Sequence, residues 1–73
     1  MVKNNLKEIR MKEHMMNKRE FAKKLDIAEQ QYLRYENCVT TPSLELCLRI
    51  AETLSKKLDD IWFLEKKMIE ELN

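Results

Sequence analysis

At 73 residues the chain is one small domain, near the size at which a single apolar core is marginal. Hydrophobic residues make up 44% and charged residues 37%, a foldable balance, and no apolar run approaches the ~18 residues that cross a bilayer. Glycine is absent and the net charge is only +1, which excludes Gly-rich phosphate loops, dinucleotide fingerprints, nucleophile elbows and a nonspecific polycation.

In chain order, Leu6, Ile9 and Met16 define the buried stripe of a first helix over about Asn4–His14. Asn17 then reads as an N-cap, with Glu20 three residues on completing a capping box in its Asn form. Phe21, Ala22 and Leu25 share one face of the second helix by the i, i+3, i+4 rule. Asp26 must leave that helix through a left-handed conformation, which Asp tolerates better than most residues. Ile27 occupies the turn, and a third helix runs from Ala28 or Glu29 to about Glu36, with Tyr32 and Tyr35 on one face. Residues 38–42 form a loop. Ser43 caps a fourth helix through Leu54, with Leu44, Cys47, Leu48, Ile50 and Ala51 facing inward. Leu58, Ile61, Trp62, Leu64, Met68 and Leu72 continue as a fifth helix over about 58–72. The expectation is an all-α fold of five helices in a single domain, 1–73.

Residues 17–37 are the most informative part of the chain. Two short amphipathic helices joined by a tight turn need a small side chain where their backbones come closest, and Ala22 supplies it. This is the layout of a helix-turn-helix formed by helices 2 and 3, and it makes DNA the leading ligand. Charge distribution agrees. Residues 1–24 carry eight Lys/Arg against three Glu, a balance of +5, although each of Lys3, Lys7, Lys12, Lys23 and Lys24 taken singly reads first as a solvated surface group.

Beyond this layout the sequence resembles the Cro/lambda-repressor-like (Xre-type) helix-turn-helix domains from about Leu6 to Trp62. The resemblance lies in Phe21-Ala22, Leu25-Asp26-Ile27, Arg34-Tyr35-Glu36-Asn37 and Pro42-Ser43-Leu44-Glu45, followed by Leu48-Arg49-Ile50-Ala51 and Leu58-Asp59-Asp60-Ile61-Trp62. Each fragment alone is weak; the ordered set is specific. The chain departs from the family in having Asp26 and Cys38 where Gly is usual, and Ala28 in place of the Ser that opens the recognition helix. Val39-Thr40-Thr41 stands where a basic loop is common, and Met11–Met16 is one residue longer than the commonest spacing.

The resemblance implies that the third helix lies in the major groove and meets base edges with Glu29, Gln30, Leu33 and Arg34, with Gln31 as a secondary contact. Gln30 suits adenine, Arg34 guanine or phosphate, and Glu29 cytosine N4. Phosphate contacts are expected from Asn17 and Lys18 at the start of helix 2, then from Thr40 and Thr41. An Arg10–Glu36 pair is implied as a structural brace between helix 1 and the recognition helix. Family members usually dimerise, and the apolar excess at Trp62, Phe63 and residues 68–72 offers a homodimer surface.

Other chemistry has little support. Cys38 and Cys47 are nine apart with no CxxC pair, and His14 is the only histidine, so no metal site is expected. Cys47 reads as a small core residue and Cys38 as an exposed thiol; Met11, Met15 and Met16 read as core filling. Asp59 and Asp60 read as first-turn acids of helix 5 rather than a catalytic pair. No enzyme, cofactor, membrane segment or small-molecule effector is expected, and the N-terminus lacks the apolar core of a signal peptide, which points to the cytoplasm. The expectation is therefore a sequence-specific double-stranded DNA-binding regulator, acting as a repressor by promoter occlusion. A protein-interaction module such as an antitoxin is the alternative.

Overall fold

The computed structural model describes residues 1–65. A short strand β1 (Val2–Asn4) leads into α1 (Leu6–Glu8), which continues unbroken as a π-helical segment (Ile9–His14). Then follow α2 (Lys18–Lys24), α3 (Glu29–Glu36), α4 (Leu44–Thr53), α5 (Leu58–Ile61) and a second strand β2 (Trp62–Leu64). The two strands pair antiparallel, with Val2 opposite Leu64, Lys3 opposite Phe63 and Asn4 opposite Trp62.

One core joins every helix. Leu6, Phe21, Tyr32 and Ile61 are fully enclosed, with Ile9, Ala22, Leu25, Tyr35, Cys47, Ile50, Ala51, Leu54 and Trp62 around them. Phe21 sits at its centre, edge-on to Tyr32 (centroids 5.5 Å apart, 74° between planes) and 5.3 Å from His14. Met16, Ile27 and Leu58 pack against this core from its margin.

The helix starts follow the capping chemistry. Asn17 accepts from the Glu20 N–H at 2.8 Å while the Glu20 carboxylate accepts from the Asn17 N–H at 3.0 Å, closing the box. Ser43 accepts from the Leu46 N–H, whereas Ala28 opens α3 with no side-chain cap. Asp60 accepts from the Lys57 N–H and closes the first turn of α5.

Helix ends carry the backbone strain. Met15, Asp26, Cys38 and Ser55 all adopt positive φ, between 51° and 60°, in a chain with no glycine to take that conformation. Asp26 and Cys38 are the two positions where the resemblance implied glycine. Met15 ends the π-helical segment, its N–H bonding the Arg10 carbonyl five residues back. A π turn holds one residue more than an α turn, so this segment absorbs the additional residue between Met11 and Met16.

Several expectations are corrected. Helix 5 stops at Ile61; Trp62 is extended (φ −112°, ψ 140°), because Ile61-Trp62-Phe63-Leu64 is a run of good strand formers that finds β1 as a partner. The part of the expected helix at Met68 and Leu72 lies outside the described residues. Asn4 belongs to a strand, not to helix 1, and its side-chain oxygen accepts from the Leu6 N–H at 3.0 Å. On α4, Leu44 and Leu48 are exposed. Residues 44-47-48-51 and 47-50-51-54 both fit a helical stripe, and the core takes the second. Met11 and Met15 are exposed and only Met16 is part of the packing. Cys38 is half-buried, with the Asn4 amide donating toward its sulfur at 3.6 Å.

Candidate nucleic-acid interface

α2 and α3 pack directly on each other around Ala22, whose side chain is buried at the crossing. A methyl group there lets the turn close. The Asp26 N–H bonds Lys23 O and the Ile27 N–H bonds Ala22 O, so the chain turns within the four residues between α2 and α3.

The eight residues of α3 divide cleanly. Tyr32, Tyr35 and Glu36 form its buried arc, Leu33 is half-buried, and Glu29, Gln30, Gln31 and Arg34 are exposed. At 3.6 residues per turn, Gln30 and Arg34 are stacked one turn apart and lie opposite the centre of the buried arc. Glu29 and Leu33 line one flank of this outer face and Gln31 the other. All five residues singled out from the sequence are thus on one accessible side of α3, with Gln30 and Arg34 pointing furthest from the body of the domain.

The inner face of α3 is held by a polar clamp. Arg10 Nη2 donates to Glu36 Oε1 at 3.0 Å, and Arg10 Nη1 donates to the Met16 carbonyl at 3.0 Å. One guanidinium therefore ties helix 1, the 1–2 connector and the last residue of α3 together, as the implied pairing required. Burial pushes the neighbouring Tyr32 phenol far above its usual range, and the Glu36 charge adds to the effect. The C-terminal end of α3 is held by Asn4, whose amide donates to Tyr35 O at 2.8 Å. The C-terminal end of α3 is thus held by Arg10 and Asn4, while its start is set by the turn from α2.

The residues assigned to phosphate are arranged less uniformly. Lys18 is exposed at the start of α2; the Asn17 oxygen is committed to the capping box, leaving its amide nitrogen as the available donor. Thr41 is exposed. Thr40 is half-buried with its hydroxyl oxygen enclosed, and the Val39 and Thr40 N–H groups turn back onto Arg34 O. The Thr40 hydroxyl reaches the surface only after a rotamer change.

Arg19 was not singled out from the sequence, and Lys23 was read there as a solvated surface lysine. Arg19 and Lys23 line a groove between α2 and the first turn of α3, together with Ala22, Asp26, Ala28 and Glu29. Their i, i+4 spacing on the side of α2 next to Ala22 was the available signal. The groove thus carries two cations, Arg19 and Lys23, and two carboxylates, Asp26 and Glu29.

Both cysteines are free, and burial raises the Cys47 thiol, which keeps it protonated and inert in the core. Among the described residues no group of His, Cys, Asp and Glu could hold a metal ion, and no helix is long and apolar enough to cross a membrane.

A family model described as helix-turn-helix matches residues 6–61, most of the chain. No curated protein matches the sequence.

Proposed function

The chain belongs to the helix-turn-helix family of the Cro/C1 (Xre-like) type, a family of double-stranded-DNA-binding transcription regulators, and we propose that it reads a specific duplex site with α3. The observation that carries this reading is the outward stacking of Gln30 and Arg34 on a helix clamped by Arg10, Glu36 and Asn4. Gln30 pairs its donor and acceptor with adenine, Arg34 its fork with guanine, and Leu33 offers an apolar surface to a thymine methyl. Glu29 accepts from a cytosine N4. Gln31 lies at the edge of the face as a second contact. Asn17, Lys18 and Thr41, with Thr40 after rotation, hold phosphates on either side, and Arg19 and Lys23 add positive charge beside the first turn of α3.

On this reading the protein is a repressor that acts by occupying a promoter, and it binds as a homodimer with two-fold related half-sites about 34–36 Å apart. The test separates reading from anchoring. Gln30→Ala should change sequence preference by roughly 1–3 kcal/mol at one base pair. Lys18→Ala should weaken all duplexes alike and reduce the salt slope by about one. Uniform loss from both variants would remove Gln30 from the reading face. The exposed Leu44 and Leu48 on α4 favour, as the second reading, a module that binds another protein, which salt-insensitive capture of a partner would support.

A further inference from the structure

Asn4 joins three elements through one side chain. Its amide oxygen accepts from the Leu6 N–H at 3.0 Å, an Asx turn that opens helix 1. Its amide nitrogen donates to Tyr35 O at 2.8 Å and toward Cys38 Sγ at 3.6 Å. One amide group thus holds both the last turn of α3 and the left-handed residue beyond it, Cys38 (φ 60°). The backbone of Asn4 is anchored independently of α3. It pairs with the buried Trp62. Its neighbour Asn5 donates its N–H to Ile61 O at 2.9 Å and its side-chain amide to Asp60 O at 3.1 Å. The strand that carries Asn4 is therefore fixed to α5 and β2, and the Asn4 side chain carries that position across to α3. Asn4 also stands ahead of residues 6–61, the span of the family match.

We propose that Asn4 is a positioning residue for base reading: without touching DNA, it fixes the C-terminal turn of α3 and with it the placement of Arg34. This rests on the reading of duplex DNA by α3 proposed above. Arg34 is next to Tyr35 in the chain, and its own carbonyl accepts from the Val39 N–H at 2.9 Å. Gln30 lies one turn further back, about 6 Å along the axis, beside the turn from α2. A fork that must meet guanine O6 and N7 together is a two-point contact, and such contacts hold only within about 0.5 Å of their productive geometry. Arg10 restrains the inner side of the same turn through Glu36, and Asn4 supplies the restraint at its end. Loss of the Asn4 donor therefore loosens the Arg34 end of α3 and leaves Gln30 in place.

Two variants keep the acceptor for Leu6 and remove the donor to Tyr35. In Asn4→Ser a hydroxyl still closes the turn but is one bond shorter toward Tyr35 O; Asn4→Asp keeps the size and sets an acceptor against that carbonyl. Asn5→Ala, which removes a bond of the same kind that does not reach α3, is the control. The full chain and its variants are titrated with a duplex enriched from random DNA and with its single-base-pair variants, under conditions where circular dichroism shows each protein folded. Both Asn4 variants should lower discrimination roughly three- to tenfold, the worth of one hydrogen bond, at the base pair whose preference is lost in Arg34→Ala. They should leave unchanged the pair whose preference is lost in Gln30→Ala, and Asn5→Ala should leave both. In an Arg34→Ala background Asn4→Ser should change no preference further, because the residue it acts through is gone. Equal loss at every base pair, no change in the folded Asn4 variants, or an effect that persists in the Arg34→Ala background overturns the proposal and leaves α3 as the reader. So does an Arg34→Ala protein that keeps every preference while Gln30→Ala loses one. Preference kept in both Gln30→Ala and Arg34→Ala overturns the α3 reading, and this proposal with it.

Discussion

Arg10 and Glu36, 26 residues apart in sequence, meet at 3.0 Å with side chains only 8% and 2% exposed. The contact joins the π-helical part of helix 1 to the last residue of α3. Its partner bond, from Arg10 to the Met16 carbonyl, fixes the connector that precedes α2. This one side chain thus ties α3 to both helix 1 and the connector before α2.

Removing one partner leaves the other charged and enclosed. Arg10→Met should therefore cost about 3–5 kcal/mol, while the double change Arg10→Met/Glu36→Leu should cost distinctly less, since the paired desolvation is removed together. Urea denaturation of the three proteins measures both values. Equal losses in the single and double variants would show that the pair contributes through packing alone.

The left-handed helix ends predict stabilising changes. Met15 (84% exposed) and Ser55 are at the surface with φ of 51° and 55°, so glycine there relieves strain while losing almost no contact. Met15→Gly and Ser55→Gly should each raise stability by about 0.5–1 kcal/mol, visible as a shift of the denaturation midpoint. The same substitutions at Lys12 or Glu52, inside helices, should lower it by a comparable amount.

The uncapped start of α3 predicts a further gain. Ala28→Ser supplies the missing acceptor for a first-turn N–H and should stabilise the fold by about 1 kcal/mol. Thermal unfolding monitored by circular dichroism checks this, and no change would mean that these N–H groups are already well solvated.

Alkaline pH should unfold the chain through Tyr32. The ordinary phenol value is 10.0 and burial raises it in the folded state. Above about pH 10 the unfolded chain therefore binds fewer protons than the folded one, and stability falls as pH rises, by up to about 1.4 kcal/mol per unit for this one group. Below that range the contribution is constant. Tyr32→Phe should flatten this part of the profile; an unchanged slope would assign it to other groups.

The helix-turn-helix was the most legible part of the sequence, because its constraints are local. The small residue at position 22, the Asn17–Glu20 box and the left-handed Asp26 each follow from a few neighbours, and each is present in the fold. The Arg10–Glu36 pair followed from family resemblance, since neither charge marks itself as buried. What was not legible depends on long-range pairing. Nothing near Val2–Asn4 signals a strand until Trp62–Leu64 is there to pair with it, and the Ile61–Leu64 run fits a helix stripe equally well. On α4, two overlapping apolar stripes left the choice to the tertiary core, which exposed Leu44 and Leu48. The π-helical segment needs both ends of helix 1 fixed before its extra residue shows. On the outer face of α2, Arg19 and Lys23 read as ordinary solvated cations until the turn brings Glu29 beside them.

Selection from random duplex DNA, followed by titration of the enriched site over a range of salt concentrations, decides whether α3 reads sequence. A defined, two-fold symmetric site is expected, with half-sites one helical turn apart and a steep fall of affinity with salt. Absence of any enriched sequence from a folded sample would contradict it and leave α3 without a base-reading role.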